Sequence, residues 1–128
     1  MIRGIGVDVC EISRISEAMA RRGKKFAKRI LAPSEYDEFL MVDEASKAAF
    51  CAKRFAAKEA FSKAFGTGIG RGFGFQDLWV SHTNIGQPVL CWMDDHPAFR
   101  VLADACVHLT VSDERRIAVA FCTIESRQ

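Results

Sequence analysis

The stretch Arg54-Phe55-Ala56-Ala57-Lys58-Glu59-Ala60-Phe61-Ser62-Lys63-Ala64-Phe65-Gly66-Thr67-Gly68-Ile69 decides the fold. It reads as the end of a long helix that starts near Ser46. The segment is made largely of Ala, Phe and Lys, with no Pro or Gly before Gly66, and Ala and Lys are strong helix formers. A glycine just past the last turn is a common C-cap. At ~100° per residue, Phe50, Ala57, Phe61, Ala64 and Phe65 gather on one side, which is expected to be core. Glu59 falls nearly opposite, with Phe55 one turn before it and Lys63 one turn after. It is the only acid between Lys47 and Lys63, against five basic residues, Lys47, Lys53, Arg54, Lys58 and Lys63. Two readings are open. Glu59 is a surface partner of Lys63 at i,i+4, worth a few tenths of a kcal/mol. Or it is a lone carboxylate that holds a metal, while the surrounding cations hold phosphates. A second carboxylate elsewhere in the chain has to decide.

Before this helix, Ile2 to Val9 alternates Ile5, Val7 and Val9 with Gly4 and Gly6 between them, which predicts a strand. Glycines inside a strand point to close approach by another backbone or chain. Asp8 interrupts the strand near its end, either as an edge residue facing water or as a ligand at a strand end. Cys10 to Gly23 reads as a helix with Ile12, Ile15 and Met19 as its apolar stripe. Between Met1 and Leu31 stand eight basic residues and three acids, a local charge of +5. That run is either a solvated face or a docking face for an acidic partner, since clustered cations speed encounter with anions. Pro33-Ser34-Glu35 looks like a helix start with Ser34 as N-cap, and the acidic segment from Ala32 to Ser46 makes a short helix and a loop.

After Gly68, the glycines at 70, 72 and 74 mark a loop. It lacks the strand and helix of a dinucleotide fingerprint. Gln76 to Thr83 and Val89 to Met93 read as a hairpin turned by Asn84-Ile85-Gly86-Gln87-Pro88, with Trp79 and Trp92 packed across it or onto the helix. A helix is expected from Asp95-His96-Pro97 to about Cys106, with Phe99, Leu102, Ala103 and Cys106 inward. Val107 to Val111 and Ile117 to Ile124 form a second hairpin around Ser112 to Arg116. The order is strand, two or three helices, hairpin, helix, hairpin. It predicts an α+β domain with an antiparallel sheet packed on a long central helix.

The 128 residues suit one domain, and 49% hydrophobic content suits a proper core. The net charge of +2 is too small to argue for nucleic acid, the excess positive charge is confined to one segment, and no exposed aromatics are expected among its basic residues. The five cysteines show no CxxC pair and no zinc spacing. Their odd number and apolar surroundings suggest reduced thiols in a cytoplasmic protein. No membrane span and no secretion signal is expected. His82 is read as exposed and without a role. No Ser/His/Asp or Cys/His spacing suggests covalent catalysis.

Two motifs then stand together: Gly6-Val7-Asp8-Val9-Cys10-Glu11-Ile12-Ser13-Arg14-Ile15, and Arg54 to Ala64 followed by Phe65-Gly66-Thr67-Gly68-Ile69. The pair closely resembles the holo-acyl-carrier-protein synthases, the short class of 4′-phosphopantetheinyl transferases. The likeness extends through length, element order and the Gly86-x-Pro88 turn. The resemblance implies the 4′-phosphopantetheinyl transferase fold and transfer of phosphopantetheine from coenzyme A to a serine of apo-acyl carrier protein. It further implies dependence on Mg²⁺ and a homotrimer with active sites between protomers. By the same likeness, Asp8 and Glu59 are the metal ligands, and Lys63 stands near the pyrophosphate. Arg54, Lys58 and the loop from Gly66 through Gly68 to Ile69 belong to the coenzyme A region. Arg14, with Arg21, Arg22 and Arg29 of the nearby basic segment, forms the carrier-protein docking surface. One departure is visible. Many relatives carry a second His in the last hairpin, where this chain reads His108-Leu109-Thr110-Val111-Ser112-Asp113-Glu114. His108 fits the first of the pair, as a phosphate contact from a neighbouring protomer, and Asp113 stands near the second. The serine proton is left with two acceptors, Glu59 or a metal-bound water. The carrier is a fatty-acid carrier by default, and the ligand types suit Mg²⁺ or Mn²⁺.

Overall fold

In a computed structural model describing residues 1–127, the long helix forms as the sequence predicts. It spans Lys47–Phe65 and stops at Gly66, whose φ of 102° is left-handed. Three short helices precede it: α1 (Ile12–Arg22), α2 (Lys24–Ile30) and α3 (Pro33–Met41). The long helix is therefore α4. Strand β1 (Ile2–Glu11) opens the chain. Strands β2 (Trp79–His82) and β3 (Pro88–Cys91) make one hairpin, and β4 (Ala105–Asp113) and β5 (Ile117–Ser126) make the other. The larger sheet is antiparallel in the order β1-β5-β4, and β2-β3 forms a second, two-stranded sheet. This is the α+β architecture expected, with the sheet laid on α4.

Amphipathic logic describes α4 poorly, because it is covered on nearly all sides. Cys51, Ala52, Ala56, Ala57, Ala60 and Phe61 have no exposed surface, and even Arg54, Lys58 and Ser62 are buried. The expected core residues Ala57, Phe61 and Ala64 are buried, while Phe50 and Phe65 are half-buried. Phe61 anchors an aromatic cluster with Phe65, Phe73, Trp92 and Phe99, all with ring centroids within 5.9 Å of its own. Burying such a side chain contributes roughly 1.5–3 kcal/mol, and here it ties the β2-β3 side of the molecule to α4.

Several boundaries differ from the sequence reading. Cys10 and Glu11 continue β1, because they pair with Ala118 and Ile117 of β5, so α1 begins at Ile12. Gly23, at φ 63°, breaks the basic segment and starts α2, giving four helices rather than two or three before the hairpin. The N-cap of α3 is Ala32, not Ser34; Pro33 occupies the first helical position and the Glu35 carboxylate accepts from the Ala32 N–H at 2.9 Å. The first hairpin is shorter than expected, with a 3-10 turn at Phe75–Asp77 in place of its first residues. The helix expected up to Cys106 is only a 3-10 segment, Pro97–Leu102. Phe99 and Leu102 are buried, but Ala103 is exposed, and the pairing of Ala105 and Cys106 with β5 draws the chain into β4.

The alternation in β1 runs opposite to ordinary strand patterning. Ile5, Val7 and Val9 are 61, 49 and 59% exposed and point away from α4. The even positions face the helix. A Cβ on Gly4 would stand 1.9 Å from the Ala64 carbonyl oxygen, and one on Gly6 would stand 2.0 Å from that of Ala60. Only glycine allows β1 to lie this close to α4.

Candidate active site

That close approach delivers Asp8 to the last turns of α4. Asp8 is the next even position after Gly6, so its side chain also points toward the helix, and only 14% of it is exposed. The Lys63 ammonium donates to Asp8 Oδ1 at 3.2 Å and to the Val7 carbonyl oxygen at 2.9 Å. Asp8 Oδ2 is buried and has no hydrogen-bond partner. Glu59 stands one turn before Lys63. Burial, and next the negative charge of Asp8, push its carboxyl above the usual carboxylate range, while Lys63 opposes them. The two carboxylates that the sequence could connect only through two distant motifs are thus electrostatic neighbours, with Lys63 bonded to Asp8 and opposing the upward shift of Glu59.

The helix end beside them is built from glycine. The N–H groups of Gly66 and Gly68 both donate to the Ser62 carbonyl, at 3.0 and 3.3 Å. The positive φ of Gly66 and Gly68 turns the backbone away one turn beyond Lys63. A loop with glycine at every second position from Gly66 to Gly74 begins three residues after the lysine.

Arg54 and Lys58 do not join this cluster. Lys58 has no exposed surface. Its three N–H donors go to Glu35 Oε1, to the Ile30 carbonyl at 2.7 Å and to the Phe75 carbonyl at 3.0 Å. Burial pulls it below the usual lysine range, against the pull of Glu35. No donor is left for a phosphate, so the structure corrects the expectation that Lys58 contacts coenzyme A: it is a core residue. Arg54 is buried as well. It pairs with Glu38 at 3.1 Å, lies over the Phe50 ring at 4.3 Å, and brings Nε to 3.3 Å from Glu35 Oε2, off line for a hydrogen bond. Yet Arg54 also lines a cavity of about 140 Å³ with Lys53, His82, Gly86, Pro88 and Asp113. Lys53 reaches Asp113 at 3.8 Å.

Glu35 holds this second centre together, and sequence reading passed it over. It is 1% exposed and accepts from Lys58, from the Ala32 N–H and from the Val80 N–H at 2.8 Å. An acid in the first turn of a helix is a local signal for the Ala32 bond. Nothing local announces Lys58 or Val80.

The remaining expected residues are spread out. His108 lies on the outer face of the sheet, exposed, with Nε2 at 2.9 Å from Glu125 Oε1. Arg14, Arg21 and Arg22 on α1 and Arg29 on α2 are exposed, and among the described residues none of the four forms an ion pair. Burial pushes the thiols of Cys51 and Cys122 up to about 12 and that of Cys10 to about 11, which leaves them inert as nucleophiles.

A family model for the 4′-phosphopantetheinyl transferase superfamily matches residues 4–122. The chain belongs to this superfamily. Asp8 and the whole Glu59 helix lie inside the match. Within the superfamily the likeness is to enzymes named holo-[acyl-carrier-protein] synthase. The one from Vibrio atlanticus is 46% identical over 127 residues, covering 96% of this chain and 97% of its own. That of Bacillus subtilis is 45% identical over 126 residues, covering 98 and 97%. Among solved structures, the synthase of Neisseria meningitidis superposes with a TM-score of 0.88 at 37% identity, over 98% of this chain and all of its own. The synthase of Bacillus anthracis, solved in complex with CoA (3′,5′-ADP), gives 0.84 at 37% identity over 98% of each chain. Among the described residues, no helix is long and apolar enough to cross a membrane.

Proposed function

We propose that this chain, as one transferase domain over residues 1–128, moves 4′-phosphopantetheine from coenzyme A to a serine of an apo-acyl carrier protein, a fatty-acid carrier by default. The observation that carries the reading is the meeting of Asp8, Glu59 and Lys63 at the glycine-bounded end of α4, in a chain matched end to end by holo-acyl-carrier-protein synthases. The serine hydroxyl oxygen forms a bond to the phosphorus that carries the pantetheine arm. The bond from that phosphorus to the bridging pyrophosphate oxygen breaks, and adenosine 3′,5′-bisphosphate leaves. Phosphoryl transfer of this kind asks the protein mainly for positioning and charge neutralisation.

The site suits a divalent cation. It offers hard oxygen donors, one of them a buried Asp8 oxygen without a partner, and a Glu59 carboxyl whose ionisation its surroundings disfavour. Among the described residues no third His, Cys, Asp or Glu converges there. This suits Mg²⁺, which commonly takes one or two carboxylates and fills its shell with water and substrate phosphate. Asp8 and Glu59 would hold the ion, which supplies positive charge against the pyrophosphate. Lys63 neutralises the leaving bisphosphate. The serine proton goes to Glu59 or to a water in the site. Gly66 and Gly68 let the backbone approach the nucleotide, and Arg54 faces its phosphate from the cavity shared with Lys53.

The exposed apolar face of the sheet supports assembly. Ile5, Val7, Val9 and Phe121 lie on it, and His108 shares it. A homotrimer packed through these faces would cover them and bring His108 to a neighbour's nucleotide. The unpaired arginines Arg14, Arg21, Arg22 and Arg29 give the acidic carrier protein its docking surface, in the cytoplasm. Mass spectrometry of an apo-acyl carrier protein incubated with coenzyme A and Mg²⁺ tests the reading. The expected result is a mass gain of one phosphopantetheine group, lost with Glu59→Ala and with a chelator. No gain with several carrier proteins, from a folded protein, refutes it.

A further inference from the structure

We infer that Lys63 serves as an internal counter-ion for the carboxylate site, and that it must be displaced from Asp8 before a divalent cation can enter. This rests on the proposed cation site at Asp8 and Glu59. The Lys63 ammonium bonds Asp8 Oδ1 at 3.2 Å and is pinned by the Val7 carbonyl at 2.9 Å. With Oδ2 buried, Oδ1 is the Asp8 oxygen that an entering ion meets first, and the ammonium occupies it. Two carboxylates side by side, half-sheltered from water, repel, and the lysine is the cation that offsets them. Its side chain is 53% exposed, so its flexible stem is free to swing toward solvent.

A cost follows for the cation alone, and a gain for cation and coenzyme A together. Displacing Lys63 weakens cation binding. Once displaced, its ammonium is free for the phosphates of coenzyme A, which recover the lost contact. Cation and coenzyme A then bind with positive coupling, and linkage makes that coupling the same in both directions. A simple field effect of the Lys63 charge would behave differently. It would weaken cation binding equally with and without coenzyme A, and leave the coupling untouched.

The test measures Mn²⁺ affinity by the electron paramagnetic resonance of the free ion, with and without coenzyme A, for the wild type and Lys63→Met. Lysine-labelled ¹³C protein reports the Cε resonance of Lys63, assigned by its loss in Lys63→Arg, during titration with Mg²⁺ alone. From the usual strength of half-exposed ion pairs, Lys63→Met binds Mn²⁺ about three- to fivefold more tightly without coenzyme A. The enhancement by coenzyme A shrinks by a similar factor, and Mg²⁺ alone moves the Lys63 resonance. If Mn²⁺ binds in an Asp8→Asn-sensitive manner, but the coupling is unchanged in Lys63→Met or the resonance stays still, this inference falls and the transferase reading stands. If wild-type protein binds no Mn²⁺ even with coenzyme A, the cation site and this inference fall together.

Discussion

Gly6→Ala isolates the contact on which both the fold and the site depend. The added carbon would stand 2.0 Å from the Ala60 carbonyl oxygen, 2.7 Å from the Ala64 nitrogen and 3.0 Å from Lys63 Cβ. Two of these three obstacles are helix backbone, which cannot rotate aside. Restoring an ordinary contact needs β1 to retreat by more than ~1 Å from α4. Yet β1 is paired along its length to β5, whose Ala118, Ala120 and Cys122 have no exposed surface on the same side. The strand must therefore peel from its partner, or the sheet must lift from the helix. Overpacking a filled core costs about 1–3 kcal/mol, and an obstacle made of backbone belongs at the top of that range or above it. For a chain of this size a loss of ~3 kcal/mol lowers Tm by about 10–15 °C. Gly74→Ala is the matched control, since its Cβ would meet nothing nearer than Asp77 Oδ2 at 4.0 Å, and it should stay within ~0.5 kcal/mol of the wild type. Denaturant unfolding measures both. Because Asp8 lies two residues along the same strand, Gly6→Ala should also weaken Mn²⁺ binding at temperatures where it remains folded. Wild-type stability in Gly6→Ala would refute the account of how β1 meets α4.

Three further outcomes follow. Lys58→Met strands the Glu35 carboxylate in the core and should cost about 3–5 kcal/mol, whereas Glu35→Gln with Lys58→Met should cost less than the two single changes summed; a double-mutant cycle by urea unfolding measures this coupling. Glu59 keeps its proton to a higher pH in the fold than in the unfolded chain. The folded state then binds more protons in that window, so stability falls as pH rises from the ordinary carboxylate range through the elevated Glu59 value; thermal melts should show the fall flattened in Glu59→Gln. Val7→Lys places a charge in the middle of the exposed apolar sheet face. On the proposed trimer, sedimentation should show loss of self-association and a transfer assay should show loss of activity, while the far-ultraviolet spectrum is retained.

The sequence made α4 legible because composition and a stop signal agree: an alanine- and lysine-rich run ends at Gly66, and both helix and left-handed cap are present. The strand over Ile5, Val7 and Val9 was legible too, but its facing was not. Alternation marks a strand whichever side is buried, and here the inward positions carry glycine and Asp8, so the large residues point out. Asp8 and Glu59 were ambiguous one at a time, because a surface acid and a ligand look alike without their surroundings. Lys58 was misread for a related reason. The resemblance placed it in the coenzyme A region, but its burial depends on Glu35, 23 positions away, and on the Ile30 and Phe75 carbonyls. The segment from Pro97 has helical spacing in Phe99 and Leu102, yet it yields to strand pairing at Ala105.

The four charged residues of α4 in question fall into two i,i+4 pairs with opposite fates. Arg54 and Lys58 face Glu35, and there both carboxylate oxygens and all three ammonium hydrogens are hydrogen-bonded, while the buried Arg54 Nε keeps only an ion-pair distance of 3.3 Å to Glu35 Oε2. Glu59 and Lys63 face Asp8, where one carboxylate oxygen has no partner and the other carboxyl resists ionisation. Folding alone favours the first arrangement, since a buried polar group without a partner is costly. The second arrangement is stable only if something other than the chain completes it, or if the cost is small enough for the rest of the core to carry. Aromatic packing around Phe61 and the sealed Glu35 centre lie on the same helix and hold its backbone in place, so the open pair need contribute nothing to stability. Substitutions on the Glu35 side should therefore move the unfolding midpoint whether or not a cation and coenzyme A are present. Substitutions on the Asp8 side should move it mainly through the ligand, because ligand affinity is where the unfinished contacts are completed.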